Sequence, residues 1–253
     1  MAASLNMRRF KKPAILLSLF TVFGIVSFAA VHILSSRPVT AIRNSFQVDG
    51  RPRVYRLVVP PTSAGERLPV IFHFHGHGNT PESEADRTKL DHLAASHRVV
   101  LVYPAAIEGN WRTRAIDSAA PDENADVRFF DALLDHLVER FGIDRSRVYV
   151  TGMSMGAEFA HELAMARSKE IAAVAACSAC PSEQIRSDRP FPIMMIVGEQ
   201  ETTLLEVAGQ DMMEYRRQGH VCEVLVNHDR GHEWLPDRNM QIWRFLKQHQ
   251  LNE

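Results

Sequence analysis

Cysteine is scarce in this 253-residue chain: Cys177, Cys180 and Cys222 are too few for a dense disulfide scaffold. No internal repeat or low-complexity tract is visible, which leaves ordinary globular packing as the way to bury apolar residues. Acids are absent from residues 1–44, where Arg8, Arg9, Lys11, Lys12, Arg37 and Arg43 stand unopposed. Setting those six aside leaves 23 of the 29 basic residues against 30 acids. An acid excess of that kind argues against a nucleic-acid partner. What is present in quantity is apolar: 45% of the residues are hydrophobic, which suits one large domain with a substantial core.

The longest apolar run is Ala14 to Leu34, and its 21 residues match the ~20 helical residues that cross a bilayer core. The basic residues before it predict a cytoplasmic start, with everything after Leu34 on the far side. Ser27-Phe28-Ala29 resembles a small-x-small cleavage site, so the segment is either a retained membrane anchor or a cleaved signal. Residues 1–44 are thus expected to be a signal or anchor segment with a polar linker, and 45–253 a single folded domain. In an exported chain Cys177 and Cys180 are either bridged or plain thiols. Cys177 should end one strand and Cys222 begin another, at opposite edges of a parallel sheet.

Seven short apolar or alternating runs read as strands: Val54 to Val59, Pro69 to Phe74, Val99 to Tyr103, Val148 to Val150, Ile171 to Cys177, Ile193 to Val197 and Val221 to Val226. Helical spacing fills most of the gaps, over Glu82 to Ser96, Val127 to Phe141, Met155 to Arg167, Leu204 to Gln218 and Pro236 to His249. The alternation predicts an α/β fold, a mostly parallel central sheet with helices on both faces. Chemistry in such sheets sits in the loops at the carboxyl ends of the strands.

One of those loops carries a motif with a mechanism. Val148 to Gly156 reads V-Y-V-T-G-M-S-M-G, a strand feeding G-x-S-x-G and then a helix, which lifts the hydroxyl of Ser154 above the sheet edge. A serine hydroxyl is a weak nucleophile until a base takes its proton, so a histidine, an acid and an oxyanion hole are needed elsewhere. His232 fits the base, because it follows the last strand; His228 stands too close to that strand. Glu201 fits the acid, with Glu199 as the fallback, in the loop after Val197. The glycine-rich loop His75-Gly76-His77-Gly78-Asn79 offers backbone donors: His77 first and Gly78 second are expected to join the Met155 amide around the oxyanion. His73, His75 and His77 alternate along one strand face. They read either as a metal set or as structural histidines under the site, and with no evident acidic or sulfur ligand no metal is expected. Trp111 either lines the substrate entrance or packs beneath its loop.

The segments H-G-H-G (75–78), V-Y-P (102–104), G-N-W (109–111), R-V-Y-V-T-G-M-S-M-G (147–156) and G-H-E-W-L-P (231–236) resemble the polyhydroxybutyrate depolymerase and feruloyl esterase group within the α/β-hydrolase fold. The resemblance spans roughly residues 45 to 250. It implies a cofactor-free serine esterase with Ser154, Glu201 and His232 as its triad, acting on a small or oligomeric ester such as a hydroxyalkanoate, feruloyl or acetyl ester. That family usually has aspartate where this chain has Glu201. Rival readings of the same residues are a serine peptidase, a thioesterase or a non-catalytic binding module.

Overall fold

Uninterrupted apolar sequence becomes the centre of a sheet. The computed structural model describes residues 39–252 apart from 64, 114–120 and 182–185. Within it the strands β1 (Thr40–Val48), β2 (Arg51–Val59), β3 (Leu68–Phe74), β4 (Val100–Pro104), β5 (Ile143–Met153), β6 (Ala173–Cys177), β7 (Ile193–Gly198) and β8 (Cys222–Asn227) form one sheet in the order β1-β2-β4-β3-β5-β6-β7-β8. Every position of β3, β4, β6 and β7 is buried, as parallel strands covered on both faces must be. From β4 to β8 all neighbours are parallel, and β1 and β2 complete one edge as antiparallel strands.

Alternate residues of the strands feed two separate cores. Phe72, Phe74, Val102, Val150, Val174 and Met195 face α3 (Ala125–Phe141), α4 (Met155–Ala166) and α5 (Thr202–Arg217), whose Phe130, Leu134, Phe159, Leu163 and Tyr215 fill that layer. Ile71, Leu101, Tyr149, Ala175 and Ile196 face α1 (Pro81–Thr88), α2 (Asp91–His97) and α6 (Asn239–Leu246), with Leu93, Ile242 and Phe245. The period of two along each strand therefore sorts the side chains between two helical layers. This is the expected architecture of a mostly parallel sheet with helices on both faces.

Among the boundaries that differ from the expectation, three have a clear local cause. Residues 40–44, expected as linker, are strand: β1 pairs along its whole length with β2 through a turn at Asp49 (φ 53°) and Gly50 (φ 72°). Both central residues of that turn need positive φ, and Asp-Gly supplies them. The helix expected over Glu82 to Ser96 is two helices. A Thr80–Ser83 capping box starts α1 and the left-handed Lys89 (φ 54°) ends it. The last helix begins only at Asn239, after a tight turn over Pro236–Arg238. The apolar run Ala14 to Leu34 lies outside the described residues, among which no helix is long and apolar enough to cross a membrane.

Candidate active site

Ser154 stands between β5 and α4 with φ 56° and ψ −127°, a backbone conformation that costs a side-chain-bearing residue about 1–3 kcal/mol. Two glycines make the turn feasible. A Cβ on Gly156 would stand 2.1 Å from the Phe74 carbonyl oxygen, and one on Gly152 would stand 2.2 Å from the Gly156 carbonyl oxygen. The helix can press this closely onto β3 and β5 only where side chains are absent. The Ser154 amide donates to the Cys177 carbonyl at 2.9 Å, and its own carbonyl accepts from Ala157 at 2.8 Å. Met155 begins α4, so its amide has no carbonyl within the helix to bond.

Two further loops meet at the same sheet edge. His232, after β8, donates Nδ1–H to Oε1 of Glu201 at 2.7 Å. The other Glu201 oxygen accepts from the Gly198 amide and from the Ser178 hydroxyl, each at 2.8 Å. The carboxylate side chain is 10% exposed and the imidazole 53%, so the Glu201 carboxylate is held within the fold while the His232 ring reaches outward. The loops themselves are in contact: a Cβ on Gly198 would lie 2.3 Å from the Gly231 carbonyl oxygen, and Gln200 donates its amide to the Arg230 carbonyl at 2.9 Å. Glu199 is engaged elsewhere. It accepts from the Asp229 amide at 2.9 Å and lies 3.4 Å from His228, which separates the Glu199–His228 pair from the Glu201–His232 pair.

The glycine-rich loop lies against the serine, with a Cβ on Gly76 3.6 Å from Cβ of Ser154. Gly78 does not fit the donor role expected of it: its amide is already given to the Gly109 carbonyl at 3.0 Å. The His77 amide makes no backbone hydrogen bond among the described residues. His73 and His75 are buried and fully partnered. Both ring nitrogens of His73 are occupied, by Thr151 at 2.7 Å and Glu84 at 2.8 Å, so the acidic partner that the sequence did not reveal is Glu84. His75 accepts the Ala106 amide on Nε2 at 3.1 Å and uses Nδ1 on the Gly76 carbonyl at 2.8 Å; burial lowers its pKa, which fits a neutral ring. Burial alone would raise the Glu84 carboxyl, but hydrogen bonds and charge from His73 and Arg87 hold it down at about 2.

Trp111 packs in the core and does not line the entrance. It is 4% exposed, stacks on Phe159 at 4.9 Å, and donates Nε1–H to the His75 carbonyl at 2.8 Å. All three cysteines are free. Cys177 ends β6 and Cys222 begins β8, at opposite sheet edges as expected. Burial pushes the Cys177 thiol up to about 12 and the Cys222 thiol up to about 11. The residue missed in the sequence is Ser178. The rule that finds functional residues in loops after strands applies to it too, since it directly follows β6.

Eight strands in this order, with the serine turn, acid loop and histidine loop at one carboxyl edge, define an α/β-hydrolase fold. Solved structures agree: a thermostable esterase has a TM-score of 0.67 at 17% identity, covering 83% of this chain and 63% of that one. A ferulic acid esterase has a TM-score of 0.65 at 18% identity, covering 84% and 98%. The esterase PHB depolymerase family model matches residues 53–200, and the chain belongs to that family. It is 30% identical over 172 residues to NocK of Nocardia uniformis subsp. tsuyamanensis, a protein named as an esterase, covering 64% of this chain and 50% of NocK. The bifunctional acetylxylan esterase/xylanase XynS20E of Neocallimastix patriciarum is 28% identical over 169 residues, covering 64% of this chain and 24% of that protein. The chain thus spans half or less of the length of these curated relatives.

Proposed function

We propose that this protein is a serine carboxylic-ester hydrolase. Ser154 Oγ attacks the ester carbonyl while His232 Nε2 takes its proton, and the tetrahedral oxyanion is received by the amides of Met155 and His77. The imidazolium then protonates the departing alcohol, leaving an acyl group on Ser154. Water, deprotonated by the same His232, attacks that acyl group, and the proton returns to Ser154 as the acid leaves. Glu201 fixes the His232 tautomer and stabilises the imidazolium between steps. Every step uses side chains and amides of this chain and draws on no cofactor.

The observation that carries the reading is the 2.7 Å bond from His232 to Glu201. It joins two loops separate in sequence, at the sheet edge where Ser154 stands in its strained turn. Family membership adds the ester as the substrate class, and the relatives named for acetylxylan and feruloyl esters point to acyl groups on sugars or aryl acids. The basic start and apolar run of residues 1–34 support an exported protein, anchored to the membrane or released after cleavage. The test is a panel of acetyl and feruloyl sugars, hydroxybutyrate oligomers, thioesters and peptides, run on the chain and on Ser154→Ala. Turnover of an oxygen ester, abolished in Ser154→Ala, is expected. Turnover of peptides or thioesters alone would reassign the leaving atom, and none at all would leave a binding module.

A further inference from the structure

β6 carries none of the three proposed catalytic residues, yet it ends among all of them. Cys177 pairs with Met153 of β5 on one side and Ile196 of β7 on the other. The dipeptide Cys177-Ser178 therefore emerges between the strand leading to Ser154 and the strand leading to Glu201. The Cys177 carbonyl accepts the Ser154 amide at 2.9 Å, and the Ser178 amide is fixed on the Ile196 carbonyl at 2.8 Å. The Cys177 thiol donates to the carbonyl of Glu233, the residue after His232, at 3.6 Å. The Ser178 hydroxyl donates to Oε2 of Glu201 at 2.8 Å.

Two physical details indicate what these contacts do. Ser178 is 4% exposed with φ 57°, a left-handed conformation in which glycine is unstrained and serine is not. The backbone alone therefore favours glycine, and the hydroxyl is what glycine lacks. Glutamate also has one more rotatable bond than aspartate, so its carboxylate needs anchoring to present one oxygen to an imidazole. Ser178 and the Gly198 amide both hold Oε2, which leaves Oε1 for His232.

We propose that Ser178 and Cys177 are positioning residues of the site: Ser178 locks the Glu201 carboxylate, and Cys177 ties the nucleophile turn to the histidine loop. The proposal rests on the ester-hydrolase reading above. High thiol pKa agrees with it, because a thiol that keeps its proton stays a donor.

The test uses the full chain with p-nitrophenyl acetate, alongside urea denaturation of each variant. Ser178→Gly removes the hydroxyl and relieves the backbone strain, and these opposed effects should partly offset each other in folding stability, so that it stays folded without urea. Its kcat should fall roughly 10- to 100-fold with KM within about twofold, the effect of losing one hydrogen bond to a charged group that acts on the reacting state. Cys177→Ala should lower kcat several-fold. Cys222→Ala, which removes another buried thiol at the far sheet edge, should leave kcat unchanged. Wild-type kcat in Ser178→Gly, or a loss matching only a loss of folded protein, overturns the proposal. Ser154→Ala separates the two levels: turnover in that variant defeats the hydrolase reading, whereas a dead Ser154→Ala beside a fully active Ser178→Gly defeats only the positioning roles.

Discussion

Replacing Glu84 with glutamine should destabilise the fold by about 3 kcal/mol, and the figure follows from two independent routes. Glu84 is wholly buried in α1, 2.8 Å from His73 and 2.6 Å from Arg87. Its carboxyl is held at about 2 against an ordinary 4.5, and a difference of that size corresponds to about 3 kcal/mol in favour of the ionised, folded form. Removing one partner of a buried pair costs about 3–5 kcal/mol by mutational experience. The folded pKa is depressed, so the stabilisation is fully present above pH 4.5 and is lost as pH falls towards 2. Urea unfolding of the parent chain and Glu84→Gln, followed by circular dichroism between pH 7 and 3, measures this. At pH 7 the midpoints should differ by the full amount, and the gap should narrow below pH 4.5 because only the parent loses its carboxylate. Equal stability at pH 7, or a gap that stays constant through pH 3, would show that the Glu84 carboxylate does not stabilise the fold.

Glu201→Gln should lower kcat by roughly 10³- to 10⁴-fold, the size of a lost tautomer-fixing acid, while Glu199→Gln should change it less than threefold because that carboxylate serves Asp229 and His228; steady-state kinetics with one ester ranks the two. Trp111→Ala should cost about 3–5 kcal/mol in chemical denaturation, since it removes a stacked core ring. Gly156→Ala should give no folded protein in a solubility and circular dichroism screen, because its methyl would stand 2.1 Å from a backbone oxygen.

The sheet was legible because buried parallel strands are written as unbroken apolar runs, such as V-L-V-Y and I-M-M-I-V. β1 was not, because T-A-I-R-N-S-F-Q-V is an edge strand with polar residues scattered through it. Its one local signal is the Asp49-Gly50 turn. Ser154 and His232 were readable from motif and order along the chain. The choice of Glu201 over Glu199 has now acquired a geometry, since each acid faces a different histidine. Gly78 as an oxyanion donor failed on a long-range contact, the Gly109 carbonyl, that no local pattern encodes. Trp111 failed as an entrance residue for a similar reason: its partners Phe159 and His75 lie 48 and 36 residues away in sequence. Ser178 and Glu84 act through side chains brought together only by the tertiary fold, so a linear reading passes over them.

Activation of Ser154 as a nucleophile by His232 can be read most directly from intact-mass and peptide-level mass spectrometry after brief exposure to a fluorophosphonate. One adduct per chain is expected, on the peptide containing Ser154. That adduct should be absent in Ser154→Ala and at least 100-fold slower to form in His232→Ala. An unlabelled parent chain, an adduct on another residue, or an undiminished rate without His232 would contradict it.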